Sequence, residues 1–100
     1  MTTYVFNKST FFPYTKRGKK VRDLLDPVIV GKVIQQFREQ KNVSQEVLSG
    51  LAGIGRTHLS AIERGVRRPT LETFFRIAEA LQVKPSTMLA EVEEAFEKSK

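Results

Sequence analysis

The sequence predicts an all-α domain of five helices, and three observations carry that prediction. Apolar residues recur at spacings of three and four along the stretch from Val30 to Phe96. Capping residues, prolines and glycines punctuate the same stretch where helices would start and stop. Period-two alternation, the mark of a half-buried strand, is confined to a weak trace from Tyr4 to Phe6. A chain of 100 residues has room for one domain of ordinary size and not for two.

The first helix starts at Asp26-Pro27, where a capping carboxylate precedes a proline at the first helical position. Val30, Ile34 and Phe37 then form one stripe, and Asn42 is suited to a left-handed stop. Ser44 caps a second helix, in which Val47, Leu48, Leu51 and Ala52 are expected to share a buried face. Gly53-Ile54-Gly55 breaks it. A third helix runs from about Arg56 to Arg64, with Leu59 and Ile62 inward, and Gly65 ends it. Pro69-Thr70 opens a fourth, with Phe74, Ile77, Ala78 and Leu81 on the packed side. Pro85 opens a fifth at about 85–98, with Met88 or Leu89, Val92 and Phe96 as its stripe. The organisation is thus an aromatic and basic arm over 1–26 and a helical domain over 27–98.

Composition narrows the function. Without cysteine, disulfides, thiolate zinc sites and cysteine nucleophiles are excluded, and the single His58 cannot build a multi-histidine metal site. No cofactor is expected. No apolar run approaches the roughly 20 residues that span a bilayer. Asn7, Lys8 and Ser9 interrupt any apolar core of a leader peptide, so the chain reads as cytoplasmic and not membrane-bound. There is no glycine-rich phosphate loop and no acid pair in a plausible cleft, which argues against an enzyme. The net charge of +6 and pI near 9.9 favour a polyanionic partner. Residues 1–27 carry six cations and two anions, residues 28–85 nine and five, and residues 86–100 two and four. The basic charge lies in the arm and the centre, and the last helix is acidic.

The third helix is the most informative segment. A helical wheel turns Leu59, Ile62 and Glu63 one way and Arg56, Thr57, Ser60, Ala61 and Arg64 the other. The outward face is short-chained, with arginine at both ends. Short side chains let a helix backbone approach a surface, and arginine bonds bidentately to guanine or phosphate. The glycine turn between the second and third helices is that of a helix-turn-helix, here at about 44–65. Glu63, beside Leu59 and Ile62, needs a buried partner, and Arg38 next to Phe37 is the candidate for a structural ion pair.

Three stretches together resemble the Cro/repressor-type (XRE-like) helix-turn-helix regulators. They are Gly31-Lys-Val-Ile-Gln-Gln-Phe-Arg38, Ser44-Gln-Glu-Val-Leu-Ser-Gly-Leu-Ala-Gly53 and Arg56-Thr-His-Leu-Ser-Ala-Ile-Glu-Arg-Gly65. Arg68-Pro69-Thr70-Leu71 and Ile77-Ala78-Glu79-Ala80-Leu81 extend the match, which covers about residues 28–90. The resemblance implies a compact five-helix, lambda-repressor-like DNA-binding domain. It implies that Arg56, Thr57 and Ala61 read base edges in the major groove, with Ser60 on the same face. It places Gln45, Arg64, Arg67 and Arg68 on the DNA backbone, Gln45 also bracing the recognition helix, and it pairs Arg38 with Glu63. The chain departs from the pattern at Ser49-Gly50, which weakens the second helix, and at Gly55, where Ser or Thr normally caps the third. Ala61 offers a base only a methyl group.

Five of the nine aromatic residues, Tyr4, Phe6, Phe11, Phe12 and Tyr14, lie in the first fourteen positions. Disordered tails are poor in aromatics, so this segment is expected to pack on its own domain, on a dimer partner, or as a short strand against its counterpart. Lys16, Arg17, Lys19 and Lys20 follow, either as an arm that tracks phosphates or enters a minor groove, or as a solvated linker. The expected function is a dimeric, sequence-specific regulator of transcription, acting as a repressor or activator on double-stranded DNA in a bacterial, phage or plasmid setting, with its homodimer contacts on the fourth and fifth helices. The alternative is an antitoxin-like module that binds a small protein partner as well as DNA.

Overall fold

The computed structural model describes residues 25–99, which form five α-helices and no strand. They are α1 (Pro27–Gln40), α2 (Gln45–Ala52), α3 (Arg56–Glu63), α4 (Leu71–Ala80) and α5 (Pro85–Lys98). The aromatic segment and Lys16–Lys20 lie outside the described residues.

The helix boundaries follow from local chemistry. Asp26 accepts a hydrogen bond from the Val28 amide at 2.9 Å, with Pro27 directly after it. Ser44 accepts from the Val47 amide at 3.1 Å and Thr70 from the Thr73 amide at 3.0 Å. Each cap satisfies an amide that the first helical turn leaves without an intrahelical acceptor. Asn42 has a φ of +57°, the left-handed stop read from the sequence, and Gln82 matches it at +58°. Gly53 ends α2 at φ +72°, a conformation that costs glycine nothing and turns the chain sharply into α3. α3 is one residue shorter than expected, because Arg64 serves as its C-cap.

The core draws on every helix. Ile34, Leu48, Leu59, Ile62, Ile77 and Met88 are fully buried, with Val30, Val33, Phe74, Leu81 and Val92 around them. Burial of each such side chain stabilises by about 1.5–3 kcal/mol. α2 deviates from expectation: Leu48 and Ala52 are buried, but Val47 and Leu51 are 52% and 64% exposed. An eight-residue helix in contact with both α3 and α4 buries only the narrow strip that faces them. On α5 the inward residue of the Met88–Leu89 pair is Met88, and Leu89 faces solvent.

One contact decides how α3 sits. α1 and α3 cross so closely that a Cβ at Gly31 would collide with the Ile62 carbonyl oxygen and lie 2.7 Å from that of Glu63. Only a residue without a side chain lets the two backbones meet at that distance.

Candidate nucleic-acid interface

The site is built around Glu63, the last residue of α3. Its Oε2 accepts from Arg38 Nε at 2.7 Å, and its Oε1 accepts from Arg38 Nη2 at 3.0 Å and from Gln45 Nε2 at 2.9 Å. Arg38 Nη1 donates to the Val43 carbonyl at 2.9 Å. The guanidinium is therefore engaged on three nitrogens, two of them in the parallel fork that makes Arg–carboxylate pairs strong. The side chains of the pair are 12% and 2% exposed, so the interaction is largely shielded from solvent. The hydrogen bond with Glu63 is the main influence holding the Arg38 guanidinium above its ordinary pKa. Burial opposes that rise, and the charges of Glu63 and Glu39 add to it.

This hub ties three helices together: Arg38 comes from α1, Gln45 from the first turn of α2 and Glu63 from α3. The sequence supplied the Arg38–Glu63 pair from the wheel and the resemblance. Gln45 stands where the bracing glutamine was expected, with its amide on the same carboxylate. Gly31 lies in the stretch that resembles the family, but the resemblance implies no role for it. The available signal was a glycine inside a helix, which costs about 1 kcal/mol against alanine and so calls for a packing reason.

With α3 fixed at its C-terminal end, its outer face is presented to solvent. Arg56 and Thr57 in the first turn are exposed, Ser60 is half-buried, and Arg64 is exposed with its Nε directed at Ser60 Oγ at 3.4 Å. Arg67 is also exposed, in the loop that follows. Four of the expected contact residues thus lie along one short helix and its C-cap, three of them exposed, with Arg67 just beyond.

Two expected positions differ. Ala61 is only 9% exposed. The loop after α3 folds back on it, and the amides of Val66 and Arg67 both donate to the Ala61 carbonyl, at 2.9 and 3.2 Å. Ala61 stands at the edge of the wheel's outward arc and is buried, leaving little methyl surface for a base. Arg68 remains exposed, but its Nη1 donates to the Leu25 carbonyl at 2.8 Å, so the side chain spans from the loop to the start of α1. His58 is half-buried on the flank of α3.

No group of acidic or histidine side chains among the described residues could hold a metal ion, and none of their helices is long and apolar enough to cross a membrane.

Comparison with known proteins agrees with this geometry. A helix-turn-helix family model matches residues 34–88, more than half of the chain. An uncharacterized HTH-type transcriptional regulator, y4dJ of Sinorhizobium fredii, is 32% identical over 66 residues, covering 66% of this chain and 86% of the relative. Control protein C.BamHI of Bacillus amyloliquefaciens is 38% identical over 63 residues, covering 62% and 78%. Among solved structures, the restriction-modification controller protein C.AhdI of Aeromonas hydrophila superposes with a TM-score of 0.61 at 33% identity, covering 63% of this chain and 96% of that one. The controller protein C.Esp1396I, solved as a tetramer in complex with its natural 35 base-pair operator, gives 0.66 at 27% identity, covering 70% and 92%. The chain belongs to the XRE-type helix-turn-helix family of DNA-binding transcriptional regulators.

Proposed function

We propose that the protein binds a two-fold operator as a homodimer, with α3 of each protomer in a major groove. The observation that carries this reading is the braced helix. α3 is held by buried bonds from α1 and α2 at one end, and it exposes Arg56 and Thr57 at the other. A rigid, short-chained face is what reading base edges requires, because a loose one loses the alignment of bidentate bonds. Arg56, Thr57 and Ser60 carry base discrimination, and Ala61 adds little. Arg64 and Arg67 hold phosphates, as does Gln45 at the start of α2. Arg68 contributes to the backbone only through the nitrogens not engaged by Leu25.

One such helix reads only a few base pairs. Two copies on half-sites about 34 Å apart supply the specificity that one lacks. The outer faces of α4 and α5 are the proposed dimer contacts, and exposed Phe75 on α4 is a large apolar side chain available there. The likeness to the restriction-modification controller proteins C.AhdI and C.Esp1396I makes control of a restriction-modification system a natural setting, in the cytoplasm and on the nucleoid.

Selection of bound sequences from a random DNA library, repeated at two salt concentrations, tests this reading. It predicts a two-fold symmetric consensus and a log–log salt slope of about −0.9 for each phosphate neutralised. Recovery of unselected sequence at both salt concentrations contradicts it.

A further inference from the structure

An apolar groove of about 280 Å³ opens where α1, α4 and α5 meet, between Leu25, Val30, Leu71, Phe74, Leu89 and Val92. Its floor is core: Val30, Phe74 and Val92 are at most 6% exposed. Its rim is not, since Leu25, Leu71 and Leu89 are 51%, 71% and 51% exposed. Single exposed leucines are ordinary on a protein surface, but three around one concavity mark a surface that something covers. The polar side chains at its edge are already engaged, Arg68 with the Leu25 carbonyl and Thr70 with the α4 cap. The groove therefore suits apolar or aromatic side chains rather than a charged ligand.

The chain carries such an occupant next to it. Leu25, one wall of the groove, is where the N-terminal segment joins the described fold, and that segment contains Tyr4, Phe6, Phe11, Phe12 and Tyr14. Ten residues lie between Tyr14 and Leu25, and the eleven Cα-to-Cα steps they provide reach up to about 36 Å when extended, more than enough to double back. The stretch between them is basic, whereas α5 on the far wall exposes Glu91, Glu93 and Glu94, so the charges complement each other.

The geometry points to the aromatic stretch of residues 4–14 seating in the α1–α4–α5 groove of its own chain. A second copy of the protein could bury the same leucines, but the tether favours the arm. A short linker holds the arm at an effective concentration on the order of millimolar, about a thousandfold above a second chain at micromolar concentration. The Phe75 side of α4 stays open for contact between copies. This inference does not depend on how, or whether, the protein reads an operator.

The chain has no tryptophan, and its two tyrosines, Tyr4 and Tyr14, both lie in the arm, so tyrosine emission reports on the arm alone. Acrylamide quenching of the full-length protein is expected to be several-fold weaker than in urea, and unchanged from micromolar to hundred-micromolar protein. A Leu71→Ser/Leu89→Ser variant, altered only at exposed positions, is expected to restore quenching to the unfolded value with its helical circular dichroism intact. Either single variant gives a partial shift. Fully quenchable tyrosines in the parent would overturn the inference, as would protection that persists in the double variant. Protection lost on dilution would assign the groove to a second copy. Isotope-filtered contacts between Tyr14 and Leu89 across chains, in a mixture of labelled and unlabelled protein, would do the same.

Discussion

In a Glu63→Ala variant, the Arg38 guanidinium loses both carboxylate oxygens, held at 2.7 and 3.0 Å, and Gln45 loses its acceptor at 2.9 Å. Arg38 cannot escape to water, because its side chain is 12% exposed and its Nη1 is fixed on the Val43 carbonyl. The variant therefore leaves a buried cation without its counter-charge, a change that costs about 3–5 kcal/mol. Small domains have about 5–15 kcal/mol in total, so the loss is a large share of the fold's stability. At roughly 4–8 °C per kcal/mol for a domain of this size, the melting temperature falls by about 12–40 °C. Thermal and urea melts followed by circular dichroism measure it. An Arg38→Met/Glu63→Leu variant removes both charges and keeps apolar volume, and it is expected to melt above Glu63→Ala because no charge is stranded. Since folding raises the Arg38 pKa, this contribution is fully present below the guanidinium's ordinary range and is lost only as pH rises through the raised value. The Arg38 contribution is thus constant across neutral pH. A Glu63→Ala protein that melts like the parent, or a double variant that melts below it, refutes the reasoning.

Gly31→Ala drives a methyl group into the backbone carbonyls of Ile62 and Glu63. It should destabilise by about 1–3 kcal/mol and also weaken DNA binding, since α3 must move; a melt and a binding isotherm on the same sample check both. Gly50→Ala should do the opposite. Its added Cβ meets no described atom within 4 Å in the middle of α2, so the gain is about 0.4–1 kcal/mol in urea titration. Arg67→Ala should weaken binding to all DNA sequences alike and lower the salt slope by about 0.9, read from titrations on specific and random duplexes.

Most of the fold was legible because local signals and tertiary packing agree. Asp26-Pro27, Ser44 and Thr70 sit at observed caps, and Phe74, Ile77, Ala78 and Leu81 are all buried as their spacing requires. A helical wheel misleads where the neighbours of a helix decide burial. Val47 and Leu51 satisfy the helical period, yet α2 is too short and too narrowly packed to bury them. Ala61 belongs to the outward arc of the wheel, yet it is buried in the fold. Gln82 takes a left-handed stop without the Asn or Gly that announces one. In the site, the Arg38–Glu63 pair could be inferred because a carboxylate among buried apolar residues demands a cation. The Arg68 bond to Leu25 could not, because it joins a loop to a carbonyl 43 residues away and leaves no trace in spacing.

Arg56→Ala tests most directly the proposal that the outer face of α3 reads base sequence. Arg56 is exposed in the first turn of α3, away from the Glu63 hub, so the variant should fold and melt like the parent. On the selected operator its affinity should fall by a factor equivalent to about 1–3 kcal/mol, the discrimination that one bidentate base contact provides. On random duplex it should change far less. Equal losses on both DNAs would make Arg56 a phosphate contact, and no loss on either would place the reading surface elsewhere on the protein.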